Sequence, residues 1–492
     1  MLPYQTLLPL QRGTSPGLPQ QIAAGLIDLI RRGVLPFGAR FPGARQMAGQ
    51  LGVNRQTVGL AYEELQAQGW LVQRPRTAPV VCAQLPELPG QPLPAAPGQF
   101  PARAAFQFAR SDAAPAAQLP ARPLLVLDGG SPDARLAPHA LLARNYRLAS
   151  RGATRHPQLL GYAAPNGVRR LREQLARYLH DTRGVPATAD QVFVTRGSTM
   201  AFFLLAQLLV QAGDTVVVAA RSYAEADAIF QRCGAWLVRV AVDEHGLVLD
   251  ELEAICRRQP VRLLYVTPHH HYPTTVTLSA ARRVRLLALA EQYDFIVLED
   301  DYDFDYHYAE APILPLASAD RRGRVIYTGS LSKVLAPAYR IGYVVAPAEV
   351  LEALAPIRVL VDQLGDPLLE TAVAELMADG TLHHHLARSR QQYQHRRNVF
   401  CAALQARLDR WFTFVPPAGG LAVWGRFAAG IDLPKLAQRC QQLGLLISDG
   451  RAYQLPAESQ PTHLRLGFAA LTPAELERSV RILETALNSG LG

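Results

Sequence analysis

Tyr327-Thr328-Gly329-Ser330-Leu331-Ser332-Lys333, followed by Arg340-Ile341-Gly342-Tyr343, is the stretch on which the reading of this chain turns. A β-branched run from Val325 leads into it and gives way to small hydroxylated residues. The lysine at its end is one of two in 492 residues, the other being Lys435, although Lys and Arg together number 50. A chain that uses arginine wherever charge alone is needed keeps lysine where a nucleophilic amine is needed, because guanidinium stays protonated and does not readily form an imine. Lys435 sits in an ordinary amphipathic segment, so Lys333 is the one whose surroundings call for chemistry.

A second strand end carries Leu298-Glu299-Asp300-Asp301-Tyr302-Asp303. Together the two ends supply what pyridoxal phosphate requires: a lysine for the aldehyde, a carboxylate for the ring nitrogen, a donor for the phenolic oxygen and a phosphate cradle. Lys333, Asp300 and Tyr302 fit the first three roles, and Asp300 and Tyr302, two apart, reach the same side of a strand end. The cradle is read at Thr195-Arg196-Gly197-Ser198-Thr199, between a strand and the apolar helix Ala201 to Leu209, where helix N–H groups attract phosphate. Ser330, Ser332 and Arg340 add hydroxyls and a cation. The rest of the acidic run to Asp305 reads as a solvated turn.

Outward from these motifs, short β-branched runs at 192–195, 215–218, 263–267, 295–298 and 325–328 alternate with helical stretches. That alternation predicts an α/β domain with a largely parallel sheet and ligand sites at the strands' carboxyl ends. Residues 84–123, rich in Pro, Ala and Gln without a period, read as a linker. Before it, helical spacing over Leu18 to Arg32, a short helix Ala44 to Leu51, a turn at Gly52-Val53-Asn54 and a third helix through Gln68 give a helix-turn-helix. Two short strands, residues 69–73 and 78–81, flank Arg74-Pro75-Arg76 as a wing. The expected organisation is therefore 1–83 winged helix, 84–123 linker and 124–492 cofactor domain, with a large subdomain over about 155–355.

The formal charge is +9, and residues 1–83 hold eight arginines against three acids. That balance points to a polyanionic partner. The five scattered cysteines form no C-x-x-C pair, which argues against a disulfide framework and for a reducing cytoplasm. No secretory leader or membrane-spanning run is read. The triplets His269–His271 and His383–His385 are set aside as metal sites, because neighbours on one strand point to opposite faces.

From about Leu124 onward the chain resembles fold-type I pyridoxal-phosphate aminotransferases, through S-x-S-K and the downstream R-x-G-Y. Its N-terminus, with Leu51-Gly52-Val53-Asn54-Arg55-Gln56-Thr57-Val58 and Tyr62-Glu63-Glu64-Leu65, is similar to GntR-type winged helices. Both in this order resemble the MocR/GabR transcription regulators. The resemblance implies a cofactor-stacking role for Tyr223, an α-carboxylate partner in Arg465, and a reach to the neighbouring subunit's phosphate for Tyr162, hence a homodimer. It implies double-stranded DNA contacts from Arg45, Asn54, Arg55, Gln56 and Thr57, with Arg76 in the wing. It also implies a regulator that senses pyridoxal phosphate or an amino compound; the alternative is a working aminotransferase that carries a DNA-binding module. The chain departs from its relatives in two places. His271-Tyr272-Pro273-Thr274-Thr275 replaces the usual N-P-T-G, leaving Tyr272 as the candidate there, and the wing lacks Gly-x-Gly.

Overall fold

The computed structural model describes residues 2–13, 15–73, 77–83, 102–107, 125–153, 159–308 and 313–489. The chain divides into two compact units, Met1–Ser111 and Asp112–Gly492.

In the first unit, helices α1 (Leu18–Arg31), α2 (Ala44–Leu51) and α3 (Arg55–Ala67) precede an antiparallel pair, Leu71–Val72 with Val80–Val81. A one-turn helix, Tyr4–Leu7, comes before them. Gly52 ends α2 with φ +63°, a left-handed conformation that costs glycine little. Two residues on, the Asn54 side chain accepts the Gln56 N–H at 2.9 Å and caps α3. Ile22, Leu26 and Leu29 of α1, Met47 of α2, and Val58 and Leu65 of α3 are fully buried in one core. Each buried side chain of this size contributes roughly 1.5–3 kcal/mol. The wing tip with Arg76 lies outside the described residues.

The second unit is built on seven strands: β1 (Val192–Thr195), β2 (Thr215–Ala219), β3 (Trp236–Val240), β4 (Leu263–Val266), β5 (Ile296–Asp301), β6 (Val325–Ser330) and β7 (Gly342–Val345). Their order is β1-β7-β6-β5-β4-β2-β3. Only β7 runs antiparallel to its neighbours, so the largely parallel sheet read from the sequence carries one reversed strand. Two strands escaped the sequence reading. Edge strand β3 exposes Trp236 and Arg239 and lacks a continuous apolar run, and β7 follows directly on the Arg340 motif.

A second, three-stranded antiparallel sheet comprises Phe412–Phe414, Ala422–Phe427 and His463–Gly467. The long helix Thr381–Leu408 packs with helix Pro473–Asn488. Strand Leu125–Leu127, from the start of the unit, pairs in parallel with Leu445–Ile447. The turn that follows it, Asp128-Gly129-Gly130, is thereby brought beside Lys333.

Candidate functional site

Strands β5 and β6 are neighbours, so their carboxyl ends deliver Asp300, Tyr302 and Lys333 to one place. Gly129, Ser198, Tyr223, Tyr265, Tyr272, Asp300, Tyr302 and Lys333 line a single cavity. The Lys333 ammonium donates to the Gly130 carbonyl at 2.9 Å. Burial lowers its pKa below the usual lysine value, which favours the neutral amine that attacks an aldehyde. Asp300 is buried and accepts from the Tyr265 hydroxyl at 2.8 Å through Oδ2, while Oδ1 has no partner among the described residues. Desolvation, its largest influence, pushes Asp300 up to about 7. A buried carboxylate oxygen without a donor fits a protonated pyridine nitrogen, and no other group described here supplies one.

The phosphate cradle has equally specific demands. Helix α4 (Ser198–Leu209) begins at Gly197, whose φ is +78°. A Cβ on Gly197 would stand 2.7 Å from Arg340 Nη2, so only glycine lets that guanidinium reach the helix N-terminus. Arg340 itself has φ +50° and donates to the Arg196 carbonyl at 3.1 Å. The Ser330 hydroxyl donates to Ser332 Oγ at 2.8 Å and accepts the Ser332 N–H at 3.0 Å. Thr199 follows Ser198 in the first turn of α4. Free N–H groups, hydroxyls and a cation thus converge where a phosphate would sit. The residues fit pyridoxal phosphate.

Arg465, on strand His463–Gly467, is 1% exposed. It donates to the carbonyls of Gly129 (2.7 Å) and Pro273 (2.8 Å) and to the Tyr302 hydroxyl (3.3 Å), all neutral acceptors. Its guanidinium also lies 5.1 Å from the centre of the Tyr272 ring. A buried cation held by neutral groups beside a cavity is matched to an anionic ligand group. Tyr272 and Tyr223 meet edge to face at 5.4 Å, forming one aromatic wall. The Tyr302 hydroxyl donates to the His270 carbonyl at 2.9 Å, so a cofactor phenolate would compete for a proton already engaged.

Three residues of the site were missed in the sequence: Gly129 and Tyr265, which line the cavity, and Gly130, whose carbonyl accepts from Lys333. The Asp-Gly-Gly turn after an apolar run was the available signal for the two glycines; Tyr265 looked like any aromatic in a strand. Two expectations need correction. The acidic run is not a solvated turn: Asp301 and Asp303 are buried, Asp301 accepts from the Tyr327 hydroxyl at 2.5 Å, and Asp305 pairs with Arg183 at 2.8 Å. Nor do the histidines at 269–271 lie on a strand. β4 ends at Val266, and His269 and His270 meet edge to face at 4.3 Å in the bend beyond it. Tyr162 stands apart from the cavity, 87% exposed.

In the N-terminal unit, Arg45 of α2 and Arg55 and Gln56 at the start of α3 are exposed, and Thr57 is half-buried. Asn54 uses its side-chain oxygen as the helix cap, which assigns it a structural duty that base reading does not explain.

Comparison with known proteins follows the same division. Residues 124–483 match the aminotransferase class I and II family and residues 18–81 the bacterial regulatory proteins of the gntR family. The HTH-type transcriptional regulator TauR of Rhodobacter capsulatus is 30% identical over 96% of this chain and 98% of its own. The probable rhizopine catabolism regulatory protein MocR of Rhizobium meliloti is 28% identical over 98% of this chain and 96% of its own. Among solved structures, the α-aminoadipate aminotransferase LysN of Thermus thermophilus, complexed with N-(5'-phosphopyridoxyl)-L-leucine, superposes with a TM-score of 0.69 at 28% identity, covering 75% of this chain and 93% of its own. The two regulators align over both units, whereas LysN covers three-quarters of the chain. The chain belongs to the MocR-type transcription regulators, in which a GntR-family helix-turn-helix domain precedes a pyridoxal-phosphate domain of fold-type I aminotransferase architecture.

Proposed function

We propose that this regulator senses pyridoxal phosphate, alone or with an amino compound that bears a carboxylate, and answers by changing how a homodimer holds double-stranded DNA. In this reading residues 1–83 bind DNA, 84–123 link, and 124–492 hold the cofactor in the cytoplasm. The observation that carries it is Arg465: a buried guanidinium with neutral hydrogen-bond partners, lying over the ring of Tyr272, which lines the same cavity as Lys333. An amine within reach of Lys333 and a carboxylate at Arg465 define one small ligand.

Pyridoxal phosphate would supply an amine-reactive aldehyde, and Lys333 is the residue that would hold it. Asp300 holds the proton on the ring nitrogen, Tyr223 covers the ring, and the Gly197 to Thr199 turn with Ser330, Ser332 and Arg340 fixes the phosphate. Tyr162, exposed on this subunit, is the residue proposed to reach the neighbour's phosphate. Arg45, Asn54, Arg55, Gln56 and Thr57 supply the DNA face, with Arg76 on the wing. Five free cysteines agree with a reducing compartment, and among the described residues no helix is long and apolar enough to cross a membrane.

The test is a DNA-binding titration of the full chain, loaded with pyridoxal phosphate, against a panel of amino acids and their decarboxylated amines. A change in operator affinity with one amino acid and none with its amine is expected. Unchanged affinity across the panel overturns the sensing role. Steady-state transamination separates the two activities: one slow half-reaction is expected, and repeated turnover would make the chain an enzyme.

A further inference from the structure

Behind the cofactor cavity lies a cluster of side chains that the reading above does not use. His269 and His270 follow β4, His307 follows β5, and ring nitrogens of all three lie within 4.8 Å of one another. His269 and His270 are buried, at 4% and 1% exposure. Among the described residues, neither ring nitrogen of His269 has a hydrogen-bond partner, and neither has Nε2 of His270. Buried imidazole nitrogens without partners forfeit their hydration with nothing in return, a cost proteins seldom leave uncompensated.

The surroundings resemble an organised metal centre more than a packing accident. Nδ1 of His270 lies 2.8 Å from Asp303 Oδ1, and Asp303 is itself buried. A carboxylate on one imidazole nitrogen fixes the tautomer that presents the other as a lone pair, the usual support for a metal-bound histidine. Gly419 packs against His270 Nε2, where any Cβ would collide with that nitrogen. An isolated β-bridge between His307 and Gly419 ties the third ring to the same spot. The neighbouring cation Arg183 is paired with Asp305 at 2.8 Å and lies near Asp301 at 3.6 Å, so part of its charge is offset beside the cluster. Arg283 spends its donors on the carbonyls of Leu278, Leu314 and Pro268.

We infer that His269, His270 and His307 form a site for one divalent transition-metal ion of the imidazole-preferring class, with Asp303 orienting His270. Neutral nitrogen ligands select Zn2+ or Co2+ over Mg2+ or Ca2+, which take oxygen. Bonds of about 2.0–2.1 Å place ligand nitrogens roughly 3.4 Å apart, so loading draws the rings inward by side-chain rotation. The His270 carbonyl accepts from Tyr302, which couples the ion's position to the cofactor cavity through one residue.

The experiment uses the full chain, free of any affinity tag, loaded with pyridoxal phosphate and washed with chelator. Co2+ alone is titrated while its visible d–d absorption is followed, then displaced with Zn2+. Saturable binding of one ion per chain is expected, with a rise in the thermal midpoint on adding Zn2+. His269→Ala and His307→Gln each lose the cobalt band and the rise, and His384→Ala, in the other histidine triplet, retains both. His307→Gln lies at the cluster's half-buried edge and keeps the test alive should His269→Ala fail to fold; its cofactor absorbance reports folding. Absence of a cobalt band in the wild type overturns the inference, as does a band that survives in His307→Gln.

Discussion

Tyr265 donates its hydroxyl proton to Oδ2 of Asp300 at 2.8 Å and leaves Oδ1 of the same carboxylate without a partner among the described residues. The tyrosine thus fixes the carboxylate's plane while one oxygen remains for a ligand. Burial drives Asp300 up to about 7, and the Tyr265 hydrogen bond acts in the opposite direction. Asp300→Ala should weaken pyridoxal-phosphate binding by about 1.5–3 kcal/mol, tenfold or more, the range for a hydrogen bond to a charged group. Tyr265→Phe should cost less and shift the pH dependence. Losing a donor raises the carboxyl pKa further, so the ionised form that pairs with a ring proton appears only at higher pH. Absorbance titrations of the cofactor at several pH values would measure both; equal affinity in Asp300→Ala and wild type refutes the assignment.

Lys333→Ala should abolish the absorbance of the lysine-linked cofactor, at about 400–430 nm, and Lys435→Ala should leave it intact. Because burial lowers the Lys333 pKa from 10.5, the neutral amine is populated at lower pH than in free lysine. The rate of cofactor capture by the apoprotein should therefore rise with pH with its midpoint below 10.5. Stopped-flow absorbance after mixing with pyridoxal phosphate gives that profile, and a midpoint at or above the free-lysine value would contradict it.

Arg465→Lys should not behave as a conservative change. The guanidinium bonds to two carbonyls and a hydroxyl in different directions and lies over Tyr272, a geometry that a point-charge ammonium does not reproduce. Affinity for a carboxylate-bearing amine should fall by about 1.5–3 kcal/mol, as for a lost charged hydrogen bond, with the cofactor spectrum preserved. Isothermal titration with the responsive amino acid reads the loss; a parallel loss of cofactor would mean that Arg465 serves folding instead.

In the DNA-binding unit three substitutions should differ in kind. Arg55→Ala, at the exposed start of α3, should cost about 1–3 kcal/mol on the operator and little on random DNA. Arg76→Ala should weaken both alike and reduce the salt slope by roughly one unit per lost phosphate contact. Asn54→Ala removes the cap on Gln56 N–H, so it should lower the unfolding free energy by about 1 kcal/mol. Binding isotherms at several salt concentrations, together with thermal denaturation, distinguish these outcomes. Equal weakening of operator and random DNA by Arg55→Ala would displace α3 from the major groove.

Much of this regulator was legible in its residues because the relevant signals are local. Lys333 stands out against an arginine-rich background, Ser330, Ser332 and Arg340 flank it within a few positions, and Asn54 with Gly52 marks a turn between helices by backbone preference alone. Such patterns depend on chemistry and on φ, which neighbours in sequence decide. The burial of Asp301 and Asp303 was not legible: their partners, Tyr327 of β6 and His270 of the bend after β4, come from beyond the local window, and the composition by itself reads as a polar turn.

The sequence by itself determined the two-part plan and singled out Lys333 and the Gly197 turn as the candidates for holding a cofactor, since periodicity, glycine placement and residue chemistry are properties of contiguous chain. Tertiary structure alone decided that Gly130 meets Lys333 from 203 positions away, that Tyr265 orients Asp300, and that His307 joins His269 and His270. These are contacts between strand ends and loops brought side by side by sheet order, and nothing in the spacing of residues along a chain specifies which strands become neighbours.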